Sequence, residues 1–408
     1  MMAAGTLGSA GALELWDTAP VFYSEATAAD PIAKLAADLG TGKRQIEGRT
    51  DLEKLRFVLN LLGIPIESQV LVFSKTSHQN ALINPKNPRC LFYNENAYVG
   101  FVPGGAIEIA IHDSSLGTVF YLIDLNQKDH SRTISRDTST CLSCHASGRT
   151  ESVPGVLVRS VRPDASGHLL LHLGTELIDA TSPINVRWGG YYVTGHSSLP
   201  HLGNRVFDES GKPSDKDKEL RTLTGTIDTS RYLRDTSDIV SLMVLEHQCR
   251  MHNLLVAASM EYRRSHWFQE SLGTGKGSDP DRLPKLADSL AVKITDAMLF
   301  KDEASMGDTG VDGDPLFQDT FGKRFPKSKD GLSLADFQLS SRIFKHRCSY
   351  MIYSQVFANL PTALKSAVFV RLRRVLEEGK DFPEIKPSER EKISRILKET
   401  IPGYSEES

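Results

Sequence analysis

The sequence predicts an α+β protein: a central, largely antiparallel β region carrying a cysteine-bearing loop, flanked by N-terminal helices and a C-terminal helical region. Three observations support this. Helix caps and apolar periodicity fill residues 30 to 63, short β-branched and aromatic runs separated by turn signals fill 67 to 174, and helical periodicity returns from about 237. The expected organisation is residues 1–24 as a signal remnant or disordered terminus, 25–230 as an α+β region, and 231–408 as a helical region packed against it.

In chain order, "MMAAGTLGSAGALELW" is small and apolar but has no basic n-region, so it reads as a leader remnant or an unstructured end. "DPIAKLAADLG" ends on Gly40, and "TDLEKLRFVLNLLG" opens with a Thr50/Glu53 capping box and closes on Gly63. "QVLVFSK", "RCLFYN", "AYVGFV", "AIEIAIHD" and "TVFYLIDL" read as strands, with "NPKNP", "PGG" and "DSSLG" as turns. After the cysteine-bearing loop, "GVLVRSV" and "HLLLHLG" read as a further pair of strands across "RPDASG". "SDIVSLMVLEHQCRMHNLLVAASMEYRR" reads as a long amphipathic helix capped by Ser237 or Asp238. A helix near 284–300, a helical stretch from a Ser333/Asp336 box through "FANLP", then "TALKSAVFVRLRRVLEEG" and "SEREKISRILKET" complete the set.

The composition, 40% hydrophobic and 24% charged with a formal net charge of -3 over 408 residues, is that of a globular protein. Near-neutral charge argues against a nucleic-acid partner, which needs a clustered cationic field. No run approaches the ~20 apolar residues of a spanning helix, so no membrane span is expected.

Five cysteines form no disulfide framework in a chain of this length, and Cys90, Cys249 and Cys348 sit singly in apolar contexts as small buried hydrophobes. Cys141, Cys144 and His145 stand together in "DTSTCLSCHASGRT", with the spacing C-x-x-C-H. Covalent haem needs two thiols to add across its vinyl groups and an adjacent imidazole to reach the iron, and this spacing supplies both. A structural zinc site would need further N/S ligands, and no second C-x-x-C exists. A dithiol redox centre would need a helix N-terminus after a strand, whereas "SRDTST" and "HASGRTESVPG" read as loop. A small all-helical mono-haem domain would place a methionine ligand some tens of residues on. Here the next methionine is Met243, and the text between is β and loop.

Beyond the motif, "SQVLVFSKTSHQ", "NPRCLFYNENAYVGFVPGG", "CLSCHAS", "VPGVLVRSVRPD", "SPINVRWGGYYVTG", "SDIVSLMVLEHQCRMHN" and "CSYMIYSQVFANLP" resemble a bacterial family of cytochrome c domain-containing proteins with a single C-x-x-C-H motif. The resemblance spans roughly residues 25 to 400. It implies one covalent haem c at Cys141 and Cys144 with His145 as proximal iron ligand, and a periplasmic or exported location. It implies no reaction.

With His145 on one side of an iron, the sixth position decides between carrier and enzyme. Candidates for it are His196 and His201 in the glycine-flanked "GHSSLPHLGN", and Met251 in "LEHQCRMHN". His247 and Arg250, spaced i, i+3 on one helix face, are candidates for a peroxidase-like acid–base and charge-stabilising pair. Arg187, Trp188, Tyr191 and Tyr192 could pack on the cofactor and pair a propionate, or be core and turn. His78 in "SKTSHQ" reads as a strand end, and "DTGVDGDPLFQD" as an acidic loop rather than a calcium site, because Gly310 and Asp319 stand at ligand positions. The expected function is electron transfer by a mono-haem c-type cytochrome, with a redox partner protein or small oxidant. The alternatives are a haem peroxidase-like oxidoreductase with an open sixth position, and a haem-free thiol oxidoreductase using Cys141 and Cys144.

Overall fold

Asp30 opens the first helix, α1 (Pro31–Gly40), by accepting from the backbone of Ile32 and Ala33. Thr50 and Glu53 close a reciprocal capping box on α2 (Asp51–Leu62), which stops at Gly63 in the left-handed conformation. Both helices are as read from the sequence. The computed structural model describes residues 14–213, 219–272 and 279–405. Residues 1–13 of the expected leader lie outside this range, while 14–24 are folded against the body. Trp16, Val21 and Tyr23 are buried, and the Tyr23 hydroxyl donates to the Thr118 carbonyl at 2.9 Å.

The predicted strands form one antiparallel sheet. Its members are β1 (Val70–Val72), β2 (Arg89–Asn94), β3 (Ala97–Phe101), β4 (Ile107–Asp113) and β5 (Gly117–Ile123), and a strand the sequence reading took as loop, β6 (Ile134–Asp137), extends it beside β5. Two later strands, β7 (Arg159–Val161) and β8 (Thr175–Leu177), pair in a separate ribbon, and β9 (Tyr191–Tyr192) joins β1 to give the order β6-β5-β4-β3-β2-β1-β9. "HLLLHLG" is not a strand: Leu171–Leu173 form a 3-10 turn with Leu171 exposed, and the partner of β7 starts two residues later.

Register assigns the two faces. Cys90, Phe101, Ile107 and Ile123 stand opposite one another, as do Phe92, Val99, Ile109 and Tyr121, and all eight are buried. Helix α2 packs on β3, and Tyr121 donates to Asp30 at the head of α1. The other face carries the rows Leu91–Gly100–Glu108 and Tyr98–Ala110–Phe120.

Across that second face lies α4 (Ile239–Leu272), capped by Asp238, whose carboxylate accepts from Ser241. From Ile239 to Val256 every residue except Arg250 is buried, so the helix is a core helix rather than the amphipathic one expected. Its polar side chains are satisfied internally. Glu246 takes the Arg187 guanidinium at 2.7 Å and the Trp188 indole N–H, Gln248 donates to the Asn94 carbonyl at 2.7 Å, and Tyr350 donates to Gln248 at 2.9 Å. Burial pushes Glu246 upward, and Arg187 and Trp188 oppose that shift. Beyond α4, α5 (Arg282–Met298) packs on α8 (Thr362–Glu378), which carries α9 (Pro387–Thr400). Two short helices, α6 (Pro315–Lys323) and α7 (Gln355–Ala358), lie between. Among the described residues no helix is long and apolar enough to cross a membrane.

The helical stretch expected from Ser333 forms only at its far end, as a 3-10 turn at Tyr350–Tyr353 and α7. Ser333 and Asp336 make a local turn instead, with Asp336 accepting from the Ser333 N–H and the Ser333 hydroxyl from that of Ala335. The apolar residues beyond it enter an aromatic cluster in which Phe337, Phe344 and Tyr350 pack with Phe317, Phe321 and Phe325. The two-residue strand Val311–Asp312 and α6 disperse the acidic loop: Asp312 pairs Arg221, Asp314 pairs Arg234 and Asp319 pairs Lys323.

Three buried histidines make stability pH-dependent. Burial pushes His112 down to about 4, and His247 and His252 to about 3. Depressed values mean that the unfolded chain takes up protons near pH ~6.5 that the folded chain refuses, so stability held above that pH is lost on acidification. Urea unfolding should show stability falling below pH ~6.5 by roughly 1.4 kcal/mol per unit for each such histidine, and His112→Gln should remove one share of that slope.

Candidate haem site

Cys141, Cys144 and His145 occupy the single helical turn α3 (Leu142–His145) and the residue capping it, between β6 and β7. Positions i, i+3 and i+4 share one face of a turn, so the spacing alone aims both thiols and the imidazole the same way. Asp137 at the end of β6 starts the turn by accepting from the Ser139 and Cys141 N–H groups at 3.0 and 2.9 Å. Downstream, the Ser147/Thr150 box and the Gly155 N–H, which donates to the His145 carbonyl at 2.8 Å, fold the segment back on itself.

His145 is held in one tautomer. Its Nδ1 lies 2.9 Å from the Gly155 carbonyl, which can only accept, so Nδ1 carries the proton and Nε2 keeps its lone pair. Nε2 has no hydrogen-bond partner among the described residues. The ring packs on Phe120 with centroids 5.1 Å apart, and burial, reinforced by the nearby Arg89 cation, lowers its pKa. A neutral imidazole with Nδ1 pinned by a carbonyl is the usual state of a metal-ligating histidine.

His145 and both cysteines border a cavity of about 390 Å³, within the ~300–1,000 Å³ typical of ligand and cofactor sites. Its floor is the second sheet face, where Gly100 and Ala110 leave a low surface between Leu91 and Phe120. Val156 and Val158 contribute from the motif segment, and Leu245 and Cys249 from α4. Gly100 leaves the Arg89 guanidinium its path to Glu108, because a Cβ there would push that side chain aside. Burial opposes ionisation of Glu108, but Arg89 at 2.5 Å and the Ser77 hydroxyl at 2.7 Å hold it below its ordinary value. Lys75 and Arg159 give the cavity two cations for an anionic ligand group beside the Arg89–Glu108 pair.

The residues present fit a haem with both thiols at its edge and His145 Nε2 at its iron. The cavity is apolar on several walls, has a low floor, carries cations, and is faced by a free imidazole lone pair. At Cys141 the chemistry of a thiol nucleophile is opposed: burial and the Asp137 and Glu108 carboxylates push its thiol up to about 12, the reverse of an activated cysteine. Cys141 and Cys144 are unpaired, and among the described residues no group of three or more His, Cys, Asp or Glu side chains is placed to hold a metal ion as zinc would require.

The other sequence candidates lie elsewhere. His196 pairs with Glu219 at 2.9 Å on the surface, and His201 packs edge-on to Trp188 beside a different cleft. Met251 is fully buried in the core and does not line the cavity. His247 and Arg250 share a helix but not a site. His247 Nε2 is bonded to the Ser349 hydroxyl at 2.6 Å and stacked on Phe300, while Arg250 pairs with Glu151 and Asp179 at the surface. The i, i+3 spacing gave a shared face correctly, but that face meets packed side chains and solvent rather than a cofactor. Arg187 and Trp188 are committed to Glu246, Tyr191 is buried in β9, and the Tyr192 hydroxyl donates to the Pro85 carbonyl, so these four are core and turn. Sequence reading took His78 for a strand end and missed Arg89, Glu108 and Gly155. Only alternation marked the two strand positions, and nothing local marked Gly155.

Asn253 on α4 latches the motif segment, accepting from the Val156 N–H at 2.8 Å and donating to its carbonyl at 2.6 Å. Asn253→Leu should strand both buried groups and destabilise the protein by roughly 2–3 kcal/mol in denaturant unfolding. Hydrogen exchange should accelerate from His145 to Val156 first. No protein-family model, curated protein or solved structure matches this chain.

Proposed function

We propose that this protein is a c-type cytochrome that binds one haem through thioether bonds at Cys141 and Cys144, takes His145 as an axial iron ligand, and carries single electrons. The observation that carries the reading is the His145 tautomer: Nδ1 is fixed by Gly155 and Nε2 is free beside a cavity whose rim holds both cysteines. Bound there, haem would supply a one-electron iron couple. The chain's own residues do the remaining work. Gly155 keeps the imidazole oriented and basic, Lys75 and Arg159 offer charge to carboxylates, and the Arg89–Glu108 pair sets the field beside the ring. Cys144 is exposed, so a group bonded to its sulfur reaches the protein surface where a partner can approach.

Carrier is favoured over peroxidase because the histidine and arginine of the candidate pair, His247 and Arg250, do not reach the cavity. It is favoured over thiol oxidoreductase because Cys141 is held protonated. Thioether attachment is made outside the cytoplasm, so the reading carries with it an exported, periplasmic protein and an electron-exchanging partner.

Expression through a haem c maturation system should give a c-type pyridine haemochrome band and a haem stain that survives a denaturing gel. Cys141→Ser combined with Cys144→Ser should reduce the stain to background. An unstained wild-type band, in a host that matures a control cytochrome, would refute the assignment.

A further inference from the structure

The proposed carrier needs a second axial ligand, and the cavity itself limits the choice. Among its described lining residues, Glu108 is engaged by Arg89 and Ser77, and the Tyr121 hydroxyl is donated to Asp30. Burial keeps the Tyr98 hydroxyl and the Cys249 thiol protonated, so neither offers the anion that binds iron well. The Lys75 ammonium donates to the Asn80 carbonyl at 3.3 Å. No methionine lines the cavity. What remains is His78, the one imidazole there besides His145.

His78 stands on the segment that follows β1, and its neighbours are fastened on both sides. The Ser77 hydroxyl donates to Glu108 at 2.7 Å, while Gln79 donates to the Ala106 carbonyl at 3.0 Å and accepts from the Ala106 N–H at 2.7 Å. Gly105 leaves room for the Gln79 amide, because a Cβ there would strike its oxygen. Between these anchors the His78 imidazole has no hydrogen-bond partner among the described residues. The backbone is therefore held beside β4 by two side chains, while the exposed ring between them borders the cavity.

We propose that His78 is the second axial ligand of the iron, giving a six-coordinate site with two imidazoles; this rests on the haem reading above. The bond uses a lone pair of the neutral ring and moves no proton or electron. Two strong nitrogen ligands leave no open position, which makes the site an electron carrier and not an oxidant-activating one.

The test is the ferric absorption and electron paramagnetic resonance spectrum of matured protein, with covalent haem measured separately by stain. Wild type should be low-spin and unreactive towards carbon monoxide when reduced. His78→Ala should keep its covalent haem and native circular dichroism, become high-spin, bind carbon monoxide, and return to low-spin on addition of free imidazole. His78→Met should stay six-coordinate with a raised midpoint potential, since methionine ligation favours the reduced iron. A high-spin wild type, or a His78→Ala protein with the wild-type spectrum and potential, overturns the assignment of His78 while leaving haem attachment intact. Absence of covalent haem in wild type removes the attachment reading and this ligand with it.

Discussion

The fold depends on the polar content of one buried helix. Helix α4 crosses the sheet with nearly all of its first half out of water, yet it carries Ser241, Glu246, His247, Gln248, His252 and Asn253. Such groups are tolerated in a core only when each meets a partner, and here the partners come from every other part of the chain. Ser68, Asn94, Tyr98, Val156, Arg187, Trp188, Ser349 and Tyr350 each bond to one of them. The set fixes where the sheet, the motif segment and the aromatic cluster sit, because any shift along the helix axis would strand several donors at once.

The site inherits its shape from that arrangement. The sheet supplies a floor kept low by Gly100 and Ala110, α4 supplies a wall, and Asn253 fastens the strip between His145 and Val156 that supplies the carbonyl for the imidazole. Geometry and electrostatics agree on the motif's chemistry. One turn aims three side chains together, the histidine is kept neutral, and the first cysteine is kept from becoming a free thiolate. Those conditions support the proposed ligand role of His145 and run against an activated thiolate at Cys141.

Much of the frame was legible in the sequence because its signals are local. The Thr50/Glu53 box, the Gly63 stop, the alternating strands β2 to β5 and the C-x-x-C-H spacing each involve residues within a few positions of one another. What failed depended on distant contacts. The residues after Ser333 have helical spacing, but Phe337 and Phe344 find better burial in an aromatic cluster than on a helix face. His247 and Arg250 have the right separation, yet spacing says only that two side chains share a face, not what lies across from it. His78 reads as an ordinary strand end because what sets it beside the cavity, the anchoring of Ser77 to Glu108 and of Gln79 to Ala106, lies about thirty residues away in sequence.

The Asn253 latch also has a temporal meaning. It joins residues 97 positions apart, and the helix that bears it follows the sheet and the motif in chain order. A chain emerging from its N-terminus presents Cys141 and Cys144 while the wall formed by α4 has yet to arrive. Chemistry that must reach both sulfurs and the floor of the cavity therefore has an interval of open access, which closes when α4 docks. On the haem proposal, the latch that ties the motif segment to α4 would make loading a matter of timing, and slowing the arrival of α4 would lengthen the interval without altering a single residue of the cavity.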